Sequence, residues 1–270
     1  MSLPRTVHPM WLATDAGIMG RIRRTLNDAL SDTSEPLPVP FFFRADDIGA
    51  PGVQFSEMME PFVIHRVPIG LAVVPVWLTP SRWNSVKHYH EKDPALWCWH
   101  QHGWRHQNHE PEGKKQEFGP SRTQGQVVND LARGRERLSE ILEAAFDPIF
   151  TPPWNRMSLA ALETVRGLGY RAVSRSAGAK PPPIDGLPDL FMDVDLHTRK
   201  ESDPETAWEK VLNELRLAVM RGRCGIMLHH QRMNRHASEF LDALLELLKK
   251  DARIQTVHFK DLLPHDPRHA

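Results

Sequence analysis

Residues 40–47, PFFFRADD, form an apolar run that ends abruptly in two acidic residues, Asp46 and Asp47. The phenylalanines favour a buried β-strand, because aromatic side chains suit the pleated surface of a sheet. A single aspartate at a strand end is explained by the capping of a following helix. Two in succession exceed what a cap needs, so the stretch predicts a buried strand that delivers carboxylates to its carboxyl end.

Further apolar runs alternate with amphipathic segments of helical length along the rest of the chain. Strands that alternate with such helices predict an α/β fold with a parallel sheet and crossover helices. About seven such units fit a barrel, with an open doubly wound sheet as the alternative. An amphipathic helix is predicted over residues 15–32, and three prolines follow it in SEPLPVP. We therefore expect an N-terminal helical extension over residues 1–37 and a barrel over residues 38–270.

Composition excludes several classes of partner. The 270 residues include 34 Lys plus Arg and 34 Asp plus Glu, so no net charge favours nucleic acid or an anionic membrane. No apolar window of membrane-spanning length occurs, and the N-terminus lacks a signal-peptide core. Cys98 and Cys224 form no CxxC pair, which favours a reducing compartment. We expect a cytoplasmic globular protein; no pattern indicates its oligomeric state.

Polar and rigid residues follow five of the predicted strands. Barrels place their working residues at the carboxyl ends of strands, whereas solvated charge scatters over both ends. This clustering predicts a functional site at that end of the barrel. The strand ends carry Asp46 with Asp47, His102 with His106, the turn TPPWN at 151–155, Asp193 with Asp195, and His229 with His230.

The stretch HGWRH places His102 and His106 four residues apart, one turn of a helix, so that both rings can share a face. Two imidazoles and a distant carboxylate make a three-ligand metal site with open positions, as in catalytic zinc sites. The alternative is a pair of surface histidines at a helix start. Other aromatic and histidine residues are expected in supporting or surface positions: Trp104 beneath the site, His100 and His109 beside the pair, and His88 and His90 in a polar loop.

The order of these motifs resembles the polysaccharide deacetylases with the NodB homology domain, the carbohydrate esterase family 4 type. FRADDIG (43–49) is similar to the first family motif, and HGWRH to the second. TPPWN and MDVD match later motifs more loosely, and MLHH is similar to the last. The resemblance spans residues 41–231 and implies a distorted (β/α)7 barrel.

Roles for five residues follow from this resemblance. Asp47, His102 and His106 would hold one divalent metal ion, zinc first, with cobalt, manganese or iron as alternatives. Asp46 would be the general base and His229 the general acid. The implied reaction is metal-dependent hydrolysis of a non-peptide C–N bond. The implied substrate is an N-acylated amino sugar or a related small amide.

The chemistry of this reaction also predicts supporting roles. The turn would lie against the substrate, with the backbone N–H of Trp154 as oxyanion donor, since Pro153 has no N–H. Asp195 or Asp193 would orient the general acid. His230 is the alternative acid when the last motif is counted strictly.

One departure from the family pattern leaves alternatives open. The family's third motif begins with an arginine that supports the base, and Thr151 stands there; Arg44, Arg105 or Arg156 would replace it. A non-catalytic carbohydrate-binding or metal-binding relative is therefore the second hypothesis. An iron oxygenase is a third, disfavoured because its two-histidine, one-carboxylate site belongs to a β-sandwich. Residues 107–125 are expected to form a lid or a partner-binding loop.

Overall fold

The computed structural model describes residues 6–12 and 17–263. Within these ranges, seven α-helices and eight β-strands largely alternate along the chain. The strands are β1 (Val39–Ile48), β2 (Ile69–Val73), β3 (Trp97–His102), β4 (Phe146–Thr151), β5 (Ala172–Val173), β6 (Val194–Asp195), β7 (Cys224–Leu228) and β8 (Ile254–Thr256). The helices are α1 (Ile18–Asp32), α2 (Val53–His65), α3 (Pro80–Lys92), α4 (Gln124–Leu142), α5 (Leu159–Gly167), α6 (Pro204–Met220) and α7 (Arg235–Lys250).

The strands form one sheet in the order β5-β4-β3-β2-β1-β7-β6, and β8 pairs with β1. Strand β1 runs parallel to β7, with Phe43 opposite Ile226 and Ala45 opposite Leu228. Strand β3 is likewise parallel to β4. This curled parallel sheet with its helices is the distorted (β/α)7 barrel that was expected, so the predicted fold class is confirmed. No helix among the described residues is both long and apolar enough to cross a membrane.

The described chain divides into two compact units. The first contains the described residues up to Asp47, together with Pro51–Ile69 and Met192–Val257. In it, α1 packs against α6 and α7 through an apolar face that includes Ile22 and Leu26. The predicted boundary between residues 37 and 38 stays a prediction.

The second unit contains Ile48–Ala50, Gly70–Phe191 and the described residues from His258. Its apolar core includes Trp104, Phe118 and Phe150. Helix α4 begins at a capping box, in which Thr123 and Gln126 satisfy each other's backbone N–H groups.

Two local expectations differ from the structure. His88 and His90 lie on helix α3, not in the polar loop that the sequence indicated. The helix was missed because Val86 is its only buried residue and its apolar periodicity is weak. The strand expected around LFMDVDLH is reduced to Val194–Asp195. Helix α1 begins at Ile18, inside the helix predicted over residues 15–32, and residues 1–5 and 13–16 of the predicted extension lie outside the described residues.

Candidate active site

Asp46 is a buried carboxylate held by a buried guanidinium. Arg44 donates from Nε to Asp46 Oδ1 at 2.6 Å and from Nη2 to Oδ2 at 2.9 Å. Residues two apart on a strand share a face, so β1 itself brings the two side chains together. Of the three arginines considered for the position that Thr151 occupies, Arg44 is the one bonded to Asp46, since Arg105 lies over Trp104 and Arg156 donates to Lys115 O.

The backbone of Asp47 leaves the extended conformation, with φ of 63°. Aspartate tolerates this left-handed region better than most residues. The change at Asp47 breaks the alternation of side chains along β1, so consecutive aspartates are not forced to opposite faces. Gln231 donates a side-chain hydrogen bond to Asp47 O at 3.2 Å, a contact that sequence patterns did not predict.

His102 closes strand β3 opposite Thr151 of β4. Its Nδ1 lies 3.0 Å from Thr151 O. Because a carbonyl only accepts, Nδ1 carries the proton in this hydrogen bond, and Nε2 is the ring nitrogen that can offer a lone pair to a metal. A second hydrogen bond of this kind commonly orients a metal-ligating histidine. The Thr151 hydroxyl also forms a hydrogen bond with His100 Nε2 at 3.0 Å. The buried His100 therefore supports Thr151, the residue that orients His102.

Residues 103–106, which follow the last residue of β3, form a loop, so the helical turn expected between His102 and His106 was wrong. Gly103 has φ of 61° and His106 has φ of 57°, both outside the helical region. A Cβ at Gly103 would collide with Glu117 Oε2 and the Pro153 ring, so the loop requires glycine there. The ring of His106 lies 5.7 Å from that of Trp77, between ring centroids.

Glu117, which the sequence did not single out, organises this loop. It is fully buried and accepts from Trp104 N at 3.1 Å and Arg105 N at 2.7 Å. Burial raises the pKa of Glu117, and the backbone N–H groups of the loop oppose that effect by stabilising its charged form. Residues 107–125 are thus partly packed inward through Glu117 and Phe118.

Asp47, His102 and His106 form a candidate metal-binding group. Each offers one ligand atom, and these three atoms all lie within 4.8 Å of one another. One carboxylate oxygen and two imidazole nitrogens suit zinc and several other divalent metals, and three protein ligands leave a position open. The donor chemistry and the orientation of the His102 ring both fit such an ion.

The turn after β4 presents a backbone donor. Trp154 has φ of 57° and Asn155 has φ of 58°, and the buried Pro153 precedes them. Asn155 N donates to Pro152 O, whereas the described residues provide no acceptor for Trp154 N–H. The Trp154 ring packs against His106, with ring centroids 4.5 Å apart.

The two histidines after β7 occupy different surroundings. His229 donates its backbone N–H to His197 Nδ1 at 3.2 Å. His230 packs edge-on against Phe55, with ring centroids 5.7 Å apart. His197 is a second residue that sequence reasoning missed; it is fully buried, and burial lowers its pKa to about 3, with the neighbouring His229 contributing in the same direction.

Asp193 and Asp195 each accept hydrogen bonds from backbone N–H groups. Asp193 accepts from Arg221 Nη2 at 2.7 Å and from Gly225 N at 2.9 Å. Asp195 accepts from His197 N at 2.9 Å and from Thr198 N at 2.8 Å, so it stabilises the turn that carries His197. Their expected role in orienting the general acid stays a prediction.

No family model and no curated protein matches the sequence. Solved structures do match. A Mycobacterium smegmatis protein described as a polysaccharide deacetylase has a TM-score of 0.59 at 14% identity, over 85% of this chain and 90% of that one. A family 4 acetyl xylan esterase from Clostridium thermocellum, solved with a cobalt ion, has a TM-score of 0.52 at 14% identity, over 83% and 89%.

A third match is a mutant of a family 4 pseudoenzyme from Bacillus anthracis with restored enzymatic activity. Its TM-score is 0.50 at 9% identity, over 85% of this chain and 68% of that one. The chain therefore has the fold of the family 4 carbohydrate esterases, a fold found in active deacetylases and in pseudoenzymes.

Proposed function

We propose that this chain is a metal-dependent hydrolase that removes the acyl group from the nitrogen of an amino sugar or a related small amide. The observation that carries this function is the buried Arg44–Asp46 pair, directly before Asp47. Asp47 belongs to the donor group with His102 and His106. A carboxylate that is paired with a buried guanidinium beside a metal-binding group is suited to act as the general base for water activation.

Asp47, His102 and His106 would hold the metal ion, with zinc as the first choice and cobalt, manganese or iron as alternatives. A divalent cation supplies polarisation of the amide carbonyl and lowers the pKa of water. The Thr151 carbonyl keeps the His102 ring in the tautomer that ligation needs.

The chain's own groups then move the protons. Asp46 accepts a proton from the attacking water, and the Arg44 guanidinium fixes the direction of its carboxylate. The N–H of Trp154, which the described residues leave without an acceptor, donates to the oxyanion that develops on the substrate. His229 donates a proton to the departing nitrogen, with His230 as the alternative donor.

A non-catalytic carbohydrate-binding or metal-binding relative is the second candidate. Thr151 in place of the arginine of the third motif favours it, and pseudoenzymes share the fold. The Arg44–Asp46 pair favours hydrolysis instead, because holding a metal needs neither the second aspartate nor its guanidinium.

The test is acetate release from N-acetylglucosamine oligomers by the purified, metal-loaded protein. Hydrolysis predicts release that both a chelator and Asp46→Asn abolish. Asp28→Asn, the same change at an exposed position of α1, should leave the rate unaltered. Bound metal without acetate from any of a panel of N-acylated sugars would favour the non-catalytic candidate.

A further inference from the structure

The unit that holds His102 and His106 also contains a pocket of about 370 Å³. Three segments of the chain line it, residues 114–116, 154–156 and 176–180. Its lining includes three cationic side chains, Lys114, Arg156 and Lys180, and no acidic one. The chain as a whole has no net charge, so this local excess of one sign is a feature of the pocket.

The three cations are available to a ligand. Within residues 6–12 and 17–263, no carboxylate forms an ion pair with any of them. Arg156 donates to one backbone carbonyl, that of Lys115, at 3.4 Å. Like charges around one cavity repel each other, and a bound anion relieves that repulsion and is attracted by all of them.

The pocket adjoins a candidate metal ligand through a shared side chain. Trp154 lines the pocket, and its ring packs against His106 at 4.5 Å between centroids. Asn155 and Ser176 add polar groups to the same lining. A single small molecule can therefore place one group at the pocket and another near His106.

We infer that this pocket binds the carboxylate or phosphate of the substrate. The substrate class is then an N-acylated amino sugar, or a related small amide, that carries an anionic group. This inference rests on the proposed function. The planar guanidinium of Arg156 suits the paired oxygens of either anion, and the lysines add point charges. Neutral acetylated sugars leave all three cations without a counter-charge.

Ligand-observed NMR on the metal-loaded protein tests both ideas in one sample, because the N-acetyl methyl signal reports binding and free acetate has its own signal. The ligands are N-acetylglucosamine 6-phosphate, N-acetylmuramic acid and neutral N-acetylglucosamine. We expect the phosphorylated or the carboxylated sugar to bind at least tenfold more tightly than the neutral one. That preference should shrink in high salt, and inorganic phosphate should compete.

Charge-neutralising variants test whether the preference for anionic sugars arises at this pocket. Arg156→Gln and Lys180→Gln should each reduce the anionic preference about threefold or more. Lys115→Gln removes the same charge from a neighbouring residue outside the lining and should not change it. Equal affinity for neutral and anionic sugars, or an equal loss in Lys115→Gln, would overturn the inference.

The measurement of acetate release distinguishes a failure of this inference from a failure of the proposed function. Tight anionic binding without acetate from any sugar would support the pocket and contradict hydrolysis. Acetate from the neutral and both anionic sugars with equal efficiency would support hydrolysis and contradict the pocket's role in substrate choice.

Discussion

Arg44 and Asp46 make a two-point ion pair along one face of β1, and both side chains are buried. The pair is local in sequence, because its members are separated by one residue. In the family that the motifs resemble, the supporting arginine stands where Thr151 stands here. We interpret Arg44 as the residue that takes over this support, while Thr151 orients His102 and His100.

Arg44→Gln should impair both stability and catalysis. Removing one partner of a buried ion pair leaves an uncompensated charge and costs about 3–5 kcal/mol of unfolding free energy. In the folded fraction, kcat/KM should fall on the order of 100-fold because the base is no longer held in position. Urea unfolding and acetate release measure the two effects.

Arg44→Lys is the matched variant, since it keeps the charge and loses the two-point geometry. It should lose less stability than Arg44→Gln and still lose activity. Wild-type kcat/KM in either folded variant would refute the positioning role.

Asp47→Asn and His102→Gln should weaken metal binding. A ligand that binds only the folded state stabilises it by mass action, by about 2.7 kcal/mol at a concentration 100 times Kd. Added zinc should therefore raise the Tm of the wild type and of Asp28→Asn, and raise it little in the two ligand variants. Thermal unfolding in a zinc series gives the comparison, and equal shifts in all four proteins would exclude these residues as ligands.

Glu117→Gln should disturb the loop that carries His106. An amide nitrogen would face backbone N–H donors of Trp104 or Arg105, which costs about 1–3 kcal/mol for a buried group left without its acceptor. Metal affinity should fall about 10- to 100-fold, the usual effect of losing a supporting contact. Calorimetric zinc titration should show no such loss in Glu112→Gln, an exposed change in the same segment.

His197 should make the protein sensitive to acid. Burial lowers its pKa from 6.5 to about 3, so between these pH values the unfolded chain binds a proton that the folded chain does not. The free energy of unfolding should therefore fall as the pH drops from about 6.5 to about 3, by up to ~1.4 kcal/mol per pH unit from this group. Above that window His197 contributes no pH dependence.

His197→Asn should flatten the acid slope, because the asparagine oxygen can still accept from His229 N and no longer titrates. Subtracting its pH–stability curve from that of the wild type isolates the contribution. His88→Asn, at an exposed position of α3, should reproduce the wild-type slope. Parallel curves for wild type and His197→Asn would contradict the assignment.

The fold was predictable because apolar, strand-like runs alternate regularly with amphipathic segments of helical length. Strands such as β1 and β7 are almost wholly buried and begin as apolar runs. Helices such as α4 and α7 carry strong apolar faces and have clear caps. Helix α3 was not predicted because it buries little beyond Val86, and its start is marked only by Thr79 and Pro80.

The loop around His106 was less predictable from sequence. HGWRH has helical spacing, but its conformation is set by the distant Glu117 and by the space that only Gly103 leaves. Tertiary contacts of this kind have no local sequence signal. The Arg44–Asp46 pair, by contrast, follows from two-residue spacing on a strand, and was among the arrangements the sequence allowed.

The most direct measurement is an anomalous difference map from crystals grown with zinc, recorded on both sides of the zinc absorption edge. We predict one strong peak within about 2.0–2.2 Å of a carboxylate oxygen of Asp47, of Nε2 of His102 and of a ring nitrogen of His106. Zinc-saturated crystals without density at these three residues, or with zinc bound only elsewhere, would contradict the metal-dependent account.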